Sequence, residues 1–246
     1  MVYVGSKNRY AKYIVPILQK CIDDNKINTY IEPFVGGGNV IDKITCPNRI
    51  GSDNNKYLIA LMQNLDKVKE QIELELEVPE ICVTHNEYNH IKKHKEQYED
   101  WFVGYVGFID SFGGKFFGGF SGYSEKIERN YHKEKAKNLY KQIPLLKNIE
   151  FIEQDYSNIE VKNCVIYCDP PYKDYKTSDI YNANFDTEIF FNWCREQSKY
   201  NHVFVSESII PDDFEIVWKY ENATSALTLK EEKPSKIELL GYMCNM

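Results

Sequence analysis

The sequence predicts an α/β fold: a mostly parallel sheet with helices on both faces and a smaller, mainly helical insert. Three observations predict it. Strand-like apolar runs alternate with helically spaced segments at both ends of the chain. A glycine turn, Gly36-Gly37-Gly38, follows the first strand-like run. A middle region rich in glycine and phenylalanine interrupts the alternation.

From Arg9 to Cys21 the apolar residues Tyr13, Ile14, Ile17, Leu18 and Cys21 recur at helical spacing. Thr29 to Phe34 reads as a strand running into the glycine turn, and Asn48 to Asp53 as a second strand. A single helix is expected next, with Leu58, Leu61, Met62, Leu65 and Val68 on one stripe. Seven of the 13 glycines then fall between Gly104 and Gly122. That density argues against a regular element through the whole length of this stretch. A basic helix is expected from Asn130 to Gln142, ending at Pro144. Strands return at Ile149 to Ile152 and Cys164 to Cys168, followed by a helix near Thr187 to Lys199. His202 to Ser206, Glu215 to Tyr220 and Lys236 to Met243 complete the set. The insert is expected to span 69–147, between the two parts, 1–68 and 148–246, of one larger domain.

Composition narrows the function. With 43% hydrophobic and 27% charged residues, the chain resembles ordinary globular proteins. It holds no run of 18 apolar residues, and its polar, lysine-bearing first 13 residues do not read as a signal peptide. The seven cysteines form no C-x-x-C pair, so reduced thiols of a cytoplasmic protein are expected. The histidines His85, His90, His94 and His132 lack ligand spacing to nearby acids or cysteines, and no metal is expected. Trp101, Trp193 and Trp218 read as core residues, as does Cys168. The net charge of −7 argues against nucleic acid, but residues 86–147 carry 11 Lys and Arg against 8 Asp and Glu. This local excess is compatible with phosphate contact.

Two motifs carry chemistry. In Glu32-Pro33-Phe34-Val35-Gly36-Gly37-Gly38, a glycine turn between strand and helix lets a ligand approach the backbone closely. The third glycine of the dinucleotide fingerprint is missing, because position 41 is Ile41, which disfavours a nicotinamide enzyme. Asp53 ends the next strand, where an ionised carboxylate accepts hydrogen bonds from two ribose hydroxyls. The pair points to an adenosine-containing cofactor. The second motif is Asp169-Pro170-Pro171-Tyr172 after the apolar run Val165-Ile166-Tyr167. The prolines fix the backbone and remove two donors. The Asp169 carboxylate and Pro170 carbonyl can then each accept a hydrogen from a planar amine, while the Tyr172 ring stacks on its base.

On these residues the chain resembles the Dam-type (alpha-group) DNA adenine-N6 methyltransferases. Four short matches occur in the family's order. Tyr3-Val4-Gly5-Ser6-Lys7 resembles an aromatic-x-Gly-Gly-Lys element, with Ser6 in place of the second glycine. Glu32 to Gly38, together with Ser52-Asp53-Asn54, resembles the cofactor loop and ribose-binding acid. Gln154-Asp155-Tyr156 is similar to the acid-aromatic pair beside the cofactor adenine, and Asp169 to Tyr172 matches the catalytic tetrapeptide. The resemblance implies a Rossmann-like methyltransferase fold and S-adenosyl-L-methionine as cofactor. It implies a catalytic site of Asp169, Pro170, Pro171 and Tyr172. Cofactor contacts are expected at Tyr3, Lys7, Glu32, Pro33, Phe34, Gly36, Gly38, Asp53, Asp155, Tyr156 and Asp169.

The insert is then the expected target-recognition region, with Lys115, Lys126, Arg129 and Tyr123 as DNA contacts. The competing role for its phenylalanines Phe108, Phe112, Phe116 and Phe117 is a small core of the insert's own. Double-stranded DNA is the expected partner, a monomer the expected state, and a bacterial or phage-infected cytoplasm the expected compartment. A cognate restriction endonuclease is compatible with the resemblance. The alternatives weighed against this reading are an RNA methyltransferase of the same fold and a catalytically inactive DNA-binding protein.

Overall fold

The computed structural model describes residues 1–78, 82–124, 128–171, 185–221 and 237–245. Its centre is a seven-stranded sheet. The strands are β1 (Thr29–Glu32), β2 (Asn48–Asp53), β5 (Glu150–Glu153), β6 (Val165–Cys168), β7 (His202–Glu207), β8 (Glu215–Glu221) and β9 (Ile237–Met243). A separate two-stranded ribbon pairs β3 (Tyr123–Ser124) with β4 (Arg129–Asn130). The helices are α1 (Ala11–Asp24), α2 (Lys56–Gln63), α3 (Leu65–Glu77), α4 (His85–Lys93), α5 (Asp100–Ile109), α6 (Tyr131–Leu146) and α7 (Thr187–Ser198).

The sheet order is β5-β2-β1-β6-β7-β9-β8. The first five strands run parallel, and β9 is antiparallel to both β7 and β8. Chain order reverses between β1 and β6, and in open α/β sheets such a switch point opens the ligand crevice at the carboxyl ends of the strands. Both motifs lie there, because Pro33 follows β1 and Asp169 follows β6.

Side-chain alternation divides the core between the two faces of the sheet. Tyr30, Val165, Tyr167 and Phe204 point to one face, where they join buried residues of α1, α2, α3, α5 and α6. Ile31, Ile166, Cys168, Val203 and Val205 point to the other and pack with Phe190, Phe191 and Cys194 of α7. The middle segment thus shares one continuous core with the first face. Phe108 and Phe117 are buried in that core, while Phe112 is 73% exposed, so these rings do not form a core of their own.

Two local expectations are corrected, and one is refined. The helix after β2 is two helices, broken at Asn64, whose side-chain amide donates to the Ala60 carbonyl at 2.8 Å. That bond takes an acceptor the next helical turn would use. As expected, no regular element spans the glycine-rich stretch, although α5 runs through Gly104 and Gly107 before ending at Ile109. A Cβ on Gly104 would lie 2.1 Å from the Tyr57 carbonyl oxygen, so the glycine serves close packing of α5 on α2. Finally, α6 continues past Pro144 to Leu146, the proline falling in its last turn. No helix among the described residues is long and apolar enough to cross a membrane.

Candidate active site

The glycine turn is built around Tyr3. Gly36 has φ +47°, and a Cβ there would lie 2.8 Å from the Tyr3 ring. From the other side, Asp53 at the end of β2 accepts hydrogen bonds from the Gly36 amide at 3.3 Å and the Asn55 amide at 3.0 Å. Burial lifts the Asp53 carboxyl to about 6, against the lowering effect of these amides. Glu32, the last residue of β1, is buried and accepts the Tyr30 hydroxyl at 2.7 Å. Burial holds its carboxyl well above the usual carboxylate range.

An aromatic nest lies beside the turn. The Phe34 ring is 5.3 Å from that of Tyr156 and 5.7 Å from that of Phe190, and Tyr156 meets Trp193 edge-on at 5.2 Å. Tyr156 is presented by a single 3-10 turn capped by Asp155, whose Oδ1 accepts from the Ser157 amide at 2.9 Å and hydroxyl at 2.6 Å. Trp193 Nε1 is buried with no acceptor among the described residues.

Across the switch point, the Asp169-Pro170-Pro171 segment meets the N-terminal element. Lys7 is only 6% exposed and donates to Asp169 Oδ1 at 2.5 Å. It stands in a one-turn 3-10 helix, Lys7–Arg9, where Ser6 Oγ accepts the Asn8 amide at 3.2 Å. Pro170 is buried and Pro171 half-buried. Tyr3 and Lys7 lie in the N-terminal segment, Glu32 and Asp53 end β1 and β2, Pro33, Phe34, Gly36 and Gly38 belong to the turn after β1, Asp155 and Tyr156 follow β5, and Asp169 follows β6. Tyr172 lies outside the described residues.

Of the expected DNA contacts, Tyr123 is 60% exposed on the β3–β4 ribbon. Arg129 on the same ribbon is exposed and engages Glu134 through two bonds of 2.8 Å. Lys115 is half-buried, and Lys126 lies outside the described residues.

Sequence reasoning missed two groups. Glu207 and Glu238 are buried acids near Lys7, on strands whose local pattern gives no sign of a site. His132, which sequence spacing leaves without an acid partner, is held between Asp110 and Glu75 at 2.6 and 2.8 Å. Glu75, Cys82 and His132 have ligand-type atoms within 4.8 Å of one another, although both His132 ring nitrogens already face carboxylates.

The D12 class N6 adenine-specific DNA methyltransferase family matches residues 3–219. The chain belongs to this family. It is also 26% identical over 194 residues to the Type II methyltransferase M.FokI of Planomicrobium okeanokoites. That alignment covers 69% of this chain and 28% of the relative, so the chain spans little more than a quarter of the relative's length. The span matched by the D12 family contains Tyr3, Lys7, Asp53, Asp169 and Glu207 and ends before β9.

Proposed function

We propose that the chain is a site-specific DNA methyltransferase that moves a methyl group from S-adenosyl-L-methionine to the exocyclic amine of adenine in duplex DNA. The observation that carries this reading is the meeting of Asp169-Pro170 with the Gly36 turn at the ends of adjacent strands, β6 and β1.

The residues present fit this donor. The Gly36 turn is a cradle that a Cβ would crowd, and the buried Glu32 and half-buried Asp53 suit a ligand with hydroxyl donors and a positive centre. The nest of Phe34, Tyr156 and Trp193 suits a purine, with the Trp193 N–H a donor that finds no acceptor among the described residues. When bound, the donor supplies an electrophilic methyl on a sulfonium. Asp53 would hold its ribose hydroxyls, Asp155 and Tyr156 its adenine edge and face, and Tyr3, Gly36 and Gly38 its remaining length.

The chain's own part in the chemistry is orientation and electrostatics. An exocyclic amine is a weak nucleophile because its lone pair is delocalised into the ring. Asp169 and the Pro170 carbonyl, each accepting one amine hydrogen, favour a more tetrahedral nitrogen whose lone pair faces the methyl. Lys7 fixes the carboxylate through Oδ1. A stacked base cannot reach a pocket at a strand end, so the adenine must leave the duplex, and Tyr172 is the ring assigned to stack on it.

Residues 1–68 and 148–246 form the catalytic part of this reading, and 69–147 the target-recognition part, with Tyr123, Lys115, Lys126 and Arg129 toward DNA. The exposed β3–β4 ribbon supports that assignment. A monomer acting in a bacterial or phage-infected cytoplasm completes the reading. The Type II designation of the relative supports a cognate restriction endonuclease as partner.

The test is transfer of labelled methyl from S-adenosyl-L-methionine to unmethylated duplex DNA, followed by nucleoside mass spectrometry. N6-methyladenine that disappears in Asp169→Ala is the expected result. Label in RNA alone, or none with donor binding intact, overturns the DNA assignment.

A further inference from the structure

Lys7 reaches Asp169 from the far end of the chain, and a lysine head on a four-carbon stem needs more than one partner to be held still. Glu238 supplies one. It is the second residue of β9, is 1% exposed, and its Oε1 lies 3.6 Å from the Lys7 ammonium. Glu207, the last residue of β7, is 5% exposed, and its carboxylate accepts the Ser208 amide at 2.6 Å. Burial lifts its carboxyl to about 7, with Asp169 adding to the lift and Lys7 opposing it. The register pairs Glu207 with Leu239 and Cys168 with Val205. The three acids therefore come from three consecutive strands of the sheet, β6, β7 and β9, at one end of it. A buried carboxylate without a nearby cation is costly, and this one lies within ion-pair distance of the ammonium that grips the catalytic acid.

We propose that Glu238 is a positioning residue for methyl transfer. Its carboxylate anchors the Lys7 ammonium, which in turn sets the direction of the Asp169 carboxylate toward the substrate amine. The antiparallel strand β9 thereby contributes to the site from outside the parallel part of the sheet. In this role Glu238 acts through Lys7. The inference rests on the role of Asp169 given above.

The experiment is a double-mutant cycle on kcat, using the full chain, S-adenosyl-L-methionine and unmethylated duplex DNA, with Glu238→Gln, Lys7→Met and the double variant. Glu238→Gln is expected to lower kcat at least tenfold while the donor Kd and the DNA KM stay within about twofold. In the Lys7→Met background the same change is expected to have no further effect, a non-additivity that a merely structural glutamate would not produce. Wild-type kcat in Glu238→Gln, or an undiminished loss in the Lys7→Met background, overturns the proposal. If the Gln variant does not fold, Glu238→Asp, which keeps the charge and shortens its reach, is carried through the same cycle and read by the same criteria. Wild-type methylation measured alongside separates the two readings. Its absence sinks the proposed function, whereas its presence beside an unaffected Glu238→Gln sinks only this inference.

Discussion

Gly104 of α5 rests directly on the backbone of Tyr57 in α2, so closely that an added Cβ would lie 2.1 Å from the Tyr57 carbonyl oxygen. The obstacle is backbone and cannot swing aside. Gly104→Ala regains about 1 kcal/mol of helix propensity but must push two packed helices apart, at a cost of about 3 kcal/mol or more. A net loss of about 2 kcal/mol is expected. Urea unfolding checks it: the midpoint should fall while the slope stays unchanged.

His132 gives the fold a pH dependence of definite sign. Burial alone would lower its pKa, but the hydrogen bonds to Asp110 and Glu75 outweigh burial and push it up to about 10. The folded chain therefore keeps a proton that the unfolded chain releases near 6.5. The stability this proton contributes is complete below that value and drains away as pH rises to about 10. Replacing His132 with Ala also leaves two buried acids without their cation, a loss of about 3–5 kcal/mol at neutral pH. Unfolding free energies at pH 7 and 9.5 should fall more steeply for wild type than for His132→Ala. Equal slopes would refute the assignment.

Donor binding should weaken in acid. Burial raises the Asp53 carboxyl to about 6, so below that pH it becomes a neutral acid and a poorer acceptor for ribose hydroxyls. Hydrogen bonds to a charged group are worth about 1.5–3 kcal/mol, which is roughly tenfold or more in affinity. Calorimetric titration with S-adenosyl-L-methionine should show weaker binding at pH 5 than at pH 7.5. Asp53→Asn should bind weakly at both values. A pH-independent affinity in wild type would remove Asp53 from the ribose site.

Arg129 is spoken for in the absence of DNA, because Glu134 holds its guanidinium through two nitrogens. If it meets a phosphate, Glu134→Gln should tighten binding to duplexes of any sequence, and Arg129→Ala should weaken it uniformly. The slope of log affinity against log salt should shrink by about one in the alanine variant. Fluorescence anisotropy on two unrelated duplexes reads both effects.

The parallel core was legible because each strand carries a local signature. Thr29 to Phe34, Asn48 to Asp53 and Cys164 to Cys168 are short segments bounded by turn residues, the last of them an apolar run, and all three form strands within a residue or two of their expected limits. The two motifs were placed for the same reason, since the glycine turn and Asp169-Pro170 lie within a few residues of strand ends. Other features depend on contacts between distant parts of the chain. Nothing around Gly104 announces the backbone of Tyr57, and nothing around His132 announces Glu75, 57 positions earlier. Glu207 and Glu238 look like ordinary strand-end acids until β7 and the antiparallel β9 place them beside Lys7.

β1 and β6 are hydrogen-bonded neighbours, with Ile31 opposite Ile166. The turn assigned to the methyl donor and the motif assigned to the base therefore spring from backbones about 4.8 Å apart. Their separation is a lattice constant of the sheet, and no hinge between bodies sets it. A single molecule joining an adenosine to an adenine-like amine through a short linker should then act as a rigid gauge of the crevice. Its tightest-binding linker length would measure the gap across which the methyl group travels.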